Sequence, residues 1–200
     1  EIIDEIVIIN DGSTDNTAKV VEKLGVSIIN LAKNHGKGFA MKKAIEELEY
    51  DYIAFVDGDL GQSSTEVEKL IYPVILGEVD FTIAKFPKRL TKTHTKGGFG
   101  LVKGLAKKGV YFYTQKEINT SLSGQRVYKK EVMEVMDYIP ASYGIEVAMT
   151  IQALKNDFTF KEVPVEMTHR YTDRSFKGFK HRGKQFWDIL KTLIIMFFRR

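Results

Sequence analysis

Asp51-Tyr-Ile-Ala-Phe-Val-Asp-Gly-Asp59 sets an apolar, aromatic and aliphatic run directly against an Asp-Gly-Asp turn. Such a run, bounded by a turn, reads as a strand covered on both faces. Upstream, residues 36–48 place Phe39, Ala40, Ala44, Ile45 and Leu48 at helical spacing on one face. Before that helix, Ser27-Ile-Ile-Asn-Leu31 reads as a strand, residues 14–24 as a helix, and Glu5-Ile-Val-Ile-Ile-Asn10 as a strand closed by Asp11-Gly12-Ser13. Downstream, Ser63-Ser-Thr-Glu66 has the spacing of a capping box, opening a helix to about residue 76. Asp80-Phe-Thr-Ile-Ala84 follows as a fourth strand. Strand, turn and helix in repetition predict an α/β fold: a single, mostly parallel sheet flanked by helices on both faces. Ligands of such sheets bind beyond the carboxyl ends of the strands, where Asp11, Asp57 and Asp59 all fall.

The second half is less regular. Residues 95–109 hold Gly97, Gly98, Gly100, Gly104 and Gly109, a density that predicts a mobile loop or lid. Residues 128–136 and 143–155 read as helices, and 158–167 as a strand with Pro164 at an edge or kink. Residues 184–200 read as a last, amphipathic helix carrying Trp187 and several Phe and Ile, with arginines at its end. It is too short to span a bilayer and suits either a membrane interface or a core position.

The absence of Cys excludes a disulfide scaffold, a Cys-ligated zinc site and a thiol nucleophile. The net charge of +4 hides an asymmetry: from Lys85 to Lys116 there are nine Lys/Arg and no Asp/Glu, and from Thr168 to Arg200 nine Lys/Arg against Asp173 and Asp188. The rest is correspondingly acidic, which predicts a cation held in one place and an anion in another. No helix-turn-helix, zinc-finger or RNA-recognition pattern is present, so nucleic acid is not the expected partner.

Two carboxylates one residue apart at a strand end, Asp57 and Asp59, are hard oxygen ligands suited to Mg²⁺ or Mn²⁺ with a diphosphate. The structural alternative is an Asp-Gly turn with an acidic cap. Asp11-Gly12-Ser13-Thr14-Asp15 reads as the N-cap of the following helix, with Asp11 free to hold a base or ribose. Asn34-His35-Gly36-Lys37-Gly38 puts a cation and two glycines before a helix without P-loop spacing. Arg126, Arg170 and Arg182 could grip an acceptor or leaving phosphate, and His169, after a strand, could add a metal ligand; the alternative is that they are exposed loop cations.

The ordered set Val7-Ile-Ile-Asn-Asp-Gly-Ser-Thr-Asp-Asn-Thr17, Asn34-His-Gly-Lys-Gly-Phe-Ala40, Phe55-Val-Asp-Gly-Asp-Leu60 and Leu122-Ser-Gly-Gln-Arg-Val-Tyr128 resembles the family 2 glycosyltransferases of the nucleotide-sugar-dependent GT-A type, notably those acting on polyprenyl phosphate. The resemblance covers roughly residues 5 to 170. It implies a metal-dependent hexosyltransferase using a UDP-sugar by preference and a phosphate-bearing acceptor, most readily polyprenyl phosphate. A soluble acceptor such as 3-phosphoglycerate, a sugar-phosphate nucleotidyltransferase and an inactive nucleotide-binding module are the alternatives. Asp11 would then contact the base, Lys37 would lie near the nucleotide, Asp57 would hold ribose or sugar, and Asp59 would hold Mg²⁺ or Mn²⁺. Glu146, opening a helix after Tyr143-Gly144-Ile145, stands where the family often supplies an acceptor-side carboxylate; its structural alternative is a first-turn Glu favoured by the helix dipole. A transferase domain over 1–183, with a donor half to about 84 and an acceptor half beyond it, would carry the helix 184–200. The expected place is the cytoplasm, at the inner membrane face. The family pattern normally opens with a strand ending in a Pro-x-Tyr-Asn-Glu-like turn, and the expectation is that this chain lacks that strand.

Overall fold

The computed structural model describes residues 2–87, 99–168 and 176–199, with Phe99 and residues 176–182 as backbone only. His169 and Arg170 lie outside the described residues, as does the side chain of Arg182. The elements run β1 (Val7–Asn10), α1 (Thr17–Lys23), β2 (Ser27–Asn30), α2 (Lys37–Glu47), β3 (Tyr52–Phe55), a 3-10 segment (Gly61–Val67), α3 (Glu68–Ile75) and β4 (Phe81–Lys85). There follow α4 (Phe99–Thr114), β5 (Arg126–Lys129), α5 (Lys130–Glu134), α6 (Ile145–Lys155), β6 (Phe160–Pro164) and α7 (Phe176–Phe198).

β1 and β2 pair in parallel, and a four-stranded sheet runs in the order β3-β5-β4-β6. β4 and β6 are parallel, while β5 opposes both of its neighbours, so β3, β4 and β6 share one direction. Strand alternation divides the interior into two cores. Ile53, Phe55, Phe81, Ile83 and Tyr128 face one core, closed by residues of α4, α6 and α7 such as Ala106, Met149 and Ile189. Ala84, Val127 and Val163 face the other, closed by Leu70, Ile71 and Val74 of α3. Tyr128 stacks on Phe81 at 5.4 Å and meets Phe55 edge-on at 6.2 Å, which ties β3, β5 and β4 together. The α/β class and the helices on both faces agree with the sequence reading.

Five local expectations are corrected. The capping box is absent: the Ser63 hydroxyl donates to the Leu60 carbonyl, and Glu66 accepts from Lys69 and from the Glu166 amide. Residues 126–129 form a strand before the chain turns helical at Lys130, so the helix read from residue 128 starts two residues later. The glycine-rich stretch is helical from Phe99 onward, because Val102, Ala106 and Val110 are buried and their packing outweighs a glycine cost of about 1 kcal/mol per residue. At Gly109 the two helices come close: a Cβ there would lie 2.6 Å from the Leu193 methyls of α7, which would have to shift. The last helix begins at Phe176 instead of residue 184, and the strand read over 158–167 is confined to Phe160–Pro164.

Candidate active site

The turn after β1 organises the site through Asp11. Its carboxylate accepts from the His35 amide at 2.7 Å and the Gly36 amide at 2.8 Å, while the Asn34 side chain donates to the Asp11 carbonyl at 3.1 Å. Asp11 therefore anchors the loop that opens α2 and does not cap α1. At α1 it is Asp15 that accepts, from the Thr17 amide and hydroxyl, and these bonds hold its carboxyl below the usual range. Gly12, at φ +70°, lies so close to the Lys33–Asn34 backbone that a side chain would clash there. At the other side of the loop the Gly38 amide donates to the Ala141 carbonyl at 3.1 Å, and a Cβ on Gly38 would run into the backbone of Pro140 and Ala141. Two backbone approaches thus fix the first turn of α2, and with it Lys37.

Lys37 lies between two carboxylates. Its ammonium is 2.7 Å from Asp57 Oδ1, at the end of β3, and 3.2 Å from Glu146 Oε1, in the first turn of α6. Burial alone would lower the Lys37 pKa, but the charges of Glu146 and Asp57 outweigh it and hold the group above its ordinary value. The second oxygen of Asp57 accepts from the Gln125 amide at 2.6 Å. Gln125 is fully buried, one residue ahead of β5. Phe55 pairs with Arg126 in the antiparallel ladder, and the same register carried two residues on sets Gly124 against Asp57. A Cβ on Gly124 would meet the Lys37 ammonium and the Asp57 carboxylate, so the absence of a side chain there leaves room for the ion pair. Lys37, Asp57 and Glu146, singled out separately in the sequence, form one cluster; Gln125 and Gly124 were missed, their only signal being their place one and two residues before the Arg-Val-Tyr run.

Asp59 is exposed at the turn beyond β3. Among the described residues no group of three or more His, Asp or Glu side chains is gathered to hold a metal ion. An exposed carboxylate at a strand end fits a Mg²⁺ or Mn²⁺ that keeps its water and shares phosphate ligands, rather than one locked in an all-protein cage.

Arg126 corrects the sequence reading. Its guanidinium is fully buried and meets five oxygens: the carbonyls of Ser121, Ser123 and Glu146, the Tyr128 hydroxyl and the Thr150 hydroxyl, at 2.7 to 3.1 Å. Buried among these oxygens, the guanidinium has no exposed face to offer an acceptor phosphate. The residue instead pins the first turn of α6, where Glu146 sits, to the loop that precedes β5. His169, Arg170 and the side chain of Arg182 lie outside the described residues.

Residues 2–136 match the family model for glycosyl transferase family 2. Two curated relatives come from Haloferax volcanii. The glycosyltransferase AglJ is 25% identical over 80% of this chain and 52% of its own length, and the low-salt glycan biosynthesis hexosyltransferase Agl6 is 29% identical over 86% of this chain and 42% of its own. The chain thus spans about half the length of these relatives. Among solved structures, glucosyl-3-phosphoglycerate synthase from Mycobacterium tuberculosis, in complex with Mn²⁺, UDP and phosphoglyceric acid, superposes with a TM-score of 0.76 at 19% identity, covering 96% of this chain and 67% of the other. That likeness is one of fold, the GT-A arrangement. With the family model matching well over half of its residues, the chain belongs to glycosyl transferase family 2.

Proposed function

We propose that the chain transfers a hexose from a nucleoside diphosphate sugar, with UDP as the preferred carrier, to a phosphate-bearing acceptor, and that the acceptor is a polyprenyl phosphate at the cytoplasmic membrane face. The observation that carries this reading is the Lys37 ammonium held between Asp57 and Glu146. One cation there brings together the carboxylate proposed for the donor and the carboxylate proposed for the acceptor, so that the two sites meet at one point, as holding two reactants side by side asks. The relative named a hexosyltransferase, and the structural neighbour solved with Mn²⁺ and UDP, favour the same donor chemistry.

In this reading Asp57 holds the ribose or sugar, its carboxylate already aligned by Gln125 and Lys37. Asp11 shapes the base end by fixing the 34–36 loop. Asp59 holds the divalent cation, which supplies charge stabilisation to the departing diphosphate. Lys37 adds a second positive charge on that side. An acceptor oxygen forms the new bond to the anomeric carbon as the bond to the diphosphate breaks, and the electron pair leaves with the nucleoside diphosphate. With a phosphate acceptor, already anionic, Glu146 positions the nucleophile; with a hydroxyl acceptor Glu146 takes its proton. Arg170, Arg182 and His169 remain proposed partners of the phosphates and the metal.

A second reading, transfer to a soluble phosphorylated acceptor, is favoured by the neighbour solved with phosphoglyceric acid. Incubation with radiolabelled UDP-glucose, Mn²⁺ and either polyprenyl phosphate or 3-phosphoglycerate separates the two. Label in the organic phase supports the lipid acceptor, label in a water-soluble product supports the second reading, and label in neither across the common UDP- and GDP-hexoses refutes the transferase proposal.

A further inference from the structure

Helices α4 and α7 pack against each other along one seam and leave matching apolar flanks on its outer side. On α4, Val102, Ala106 and Val110 are buried, Gly109 lies under Leu193 of α7, and the Tyr113 hydroxyl donates to the Leu193 carbonyl at 2.7 Å. At about 100° per residue, Leu101, Leu105 and Phe112 fall on the flank beyond Gly109, away from the edge that meets α6. On α7, Leu193 faces α4 and Thr192 faces Gly144 at the start of α6. Trp187, Ile194 and Phe198 fall on the opposite flank, again on the outer side of the seam. Leu101 is 74% exposed, Phe112 55%, Trp187 67% and Phe198 80%. Seven of the fourteen large apolar side chains exposed among the described residues belong to these two helices. Single exposed apolar residues are ordinary, but a contiguous patch marks a contact surface.

The margins of the patch are basic. By the same spacing Lys108 borders it on α4, and Lys184 and Lys191 border it on α7; none of the three has an acidic partner among the described residues. We propose that the outer face of the α4–α7 pair docks on an anionic lipid surface, with aromatic and aliphatic side chains entering the interface and the flanking lysines meeting lipid phosphates. No described helix is long and apolar enough to cross a membrane, which is consistent with lying on one. A second copy of the chain is the poorer occupant, since apposing two such faces would bring lysines against lysines. The inner side of α7 reaches the acceptor end of the site, with Thr192 against Gly144 just ahead of Glu146. The inference deepens the lipid-acceptor reading and rests on it only for the purpose of docking, not for the docking itself.

Trp187 is the sole tryptophan of the chain and sits in the patch, so its fluorescence reports on the contact. The chain is titrated with vesicles of phosphatidylcholine alone and of phosphatidylcholine mixed with phosphatidylglycerol, with co-sedimentation in parallel. A blue shift and co-sedimentation on the mixed vesicles only, weakened by added salt, are expected. The variant Leu101→Ser/Phe112→Ser should bind about tenfold more weakly, because α4 supplies half the face. The variant Lys108→Glu/Lys191→Glu should lose binding altogether. All these positions are exposed, and circular dichroism checks that each variant folds. Absence of binding to anionic vesicles, or binding untouched by the α4 substitutions, overturns the proposal; so does a concentration-dependent dimer that Ile194→Ser dissolves. Calorimetry of UDP with Mn²⁺ on the same proteins keeps the two readings apart: vesicle binding without nucleotide binding preserves the docking face and counts against the transferase, and the reverse does the opposite.

Discussion

Gln125 and Lys37 divide the work of orienting Asp57, one on each carboxylate oxygen. Replacing Lys37 by Met leaves Asp57 and Glu146 facing each other without a cation, so kcat/KM should fall about 10²- to 10³-fold, the scale seen when one preorganised charge partner is removed. Replacing Gln125 by Met removes one neutral donor and loosens the orientation of Asp57. The expected result is a rise in donor KM with a smaller change in kcat, measured by steady-state kinetics; an unchanged KM would show that Lys37 suffices. Arg126 gives a contrasting expectation. Arg126→Met strands several buried carbonyl and hydroxyl oxygens and should cost about 3 kcal/mol or more of stability, read by urea denaturation. A phosphate-binding arginine would instead leave stability intact and affect acceptor binding alone.

At the scale of elements, a carboxylate on β6 holds the loop that leads into β5. Glu162 accepts from the Asn119 amide at 2.8 Å, the Thr120 amide at 2.7 Å and the Thr120 hydroxyl at 2.6 Å. Burial works against its charged form, but these donors outweigh it and keep its carboxyl below the ordinary range. A depressed folded pKa means a contribution that is complete above the unfolded value of about 4.3 and is lost as pH falls through the folded one. Glu162→Gln should therefore lower stability at neutral pH, by about 1 kcal/mol once solvent access is allowed for, and flatten the acid side of the stability curve. Thermal melts at pH 7 and pH 3 check this, and a variant with an unchanged acid slope would contradict it. Gly38→Ala should perturb the start of α2, because the backbone of Pro140 and Ala141 cannot retreat from a new methyl group. The first half of the fold was legible because its strands are short apolar runs, β1 and β3 being stopped by the Asp-Gly turns at Asp11 and Asp57. β5 was not, because Arg126–Lys129 passes into α5 with no turn residue between them. α4 was masked by glycines whose cost only tertiary packing offsets.

Across the whole molecule, two basic segments far apart in sequence become packing neighbours as α4 and α7, while Asp11, Asp57 and Glu146 gather around the N-terminus of α2. The charge asymmetry was visible in the sequence; its spatial separation was not, since it depends on which helices meet. The same holds at the site. Asp57, Lys37 and Glu146 were readable as residue types at strand and helix ends, whereas Gln125 and Gly124 enter only through the register of an antiparallel pair. The central claim, a donor site built on Asp57, Lys37 and Asp59, is tested most directly by calorimetry of UDP and GDP with and without Mn²⁺ on the chain, on Asp59→Ala and on Lys37→Met. The account predicts UDP binding that requires Mn²⁺, is abolished in Asp59→Ala and is weakened in Lys37→Met. Binding of neither nucleotide, or binding indifferent to Mn²⁺ and to both substitutions, would contradict it.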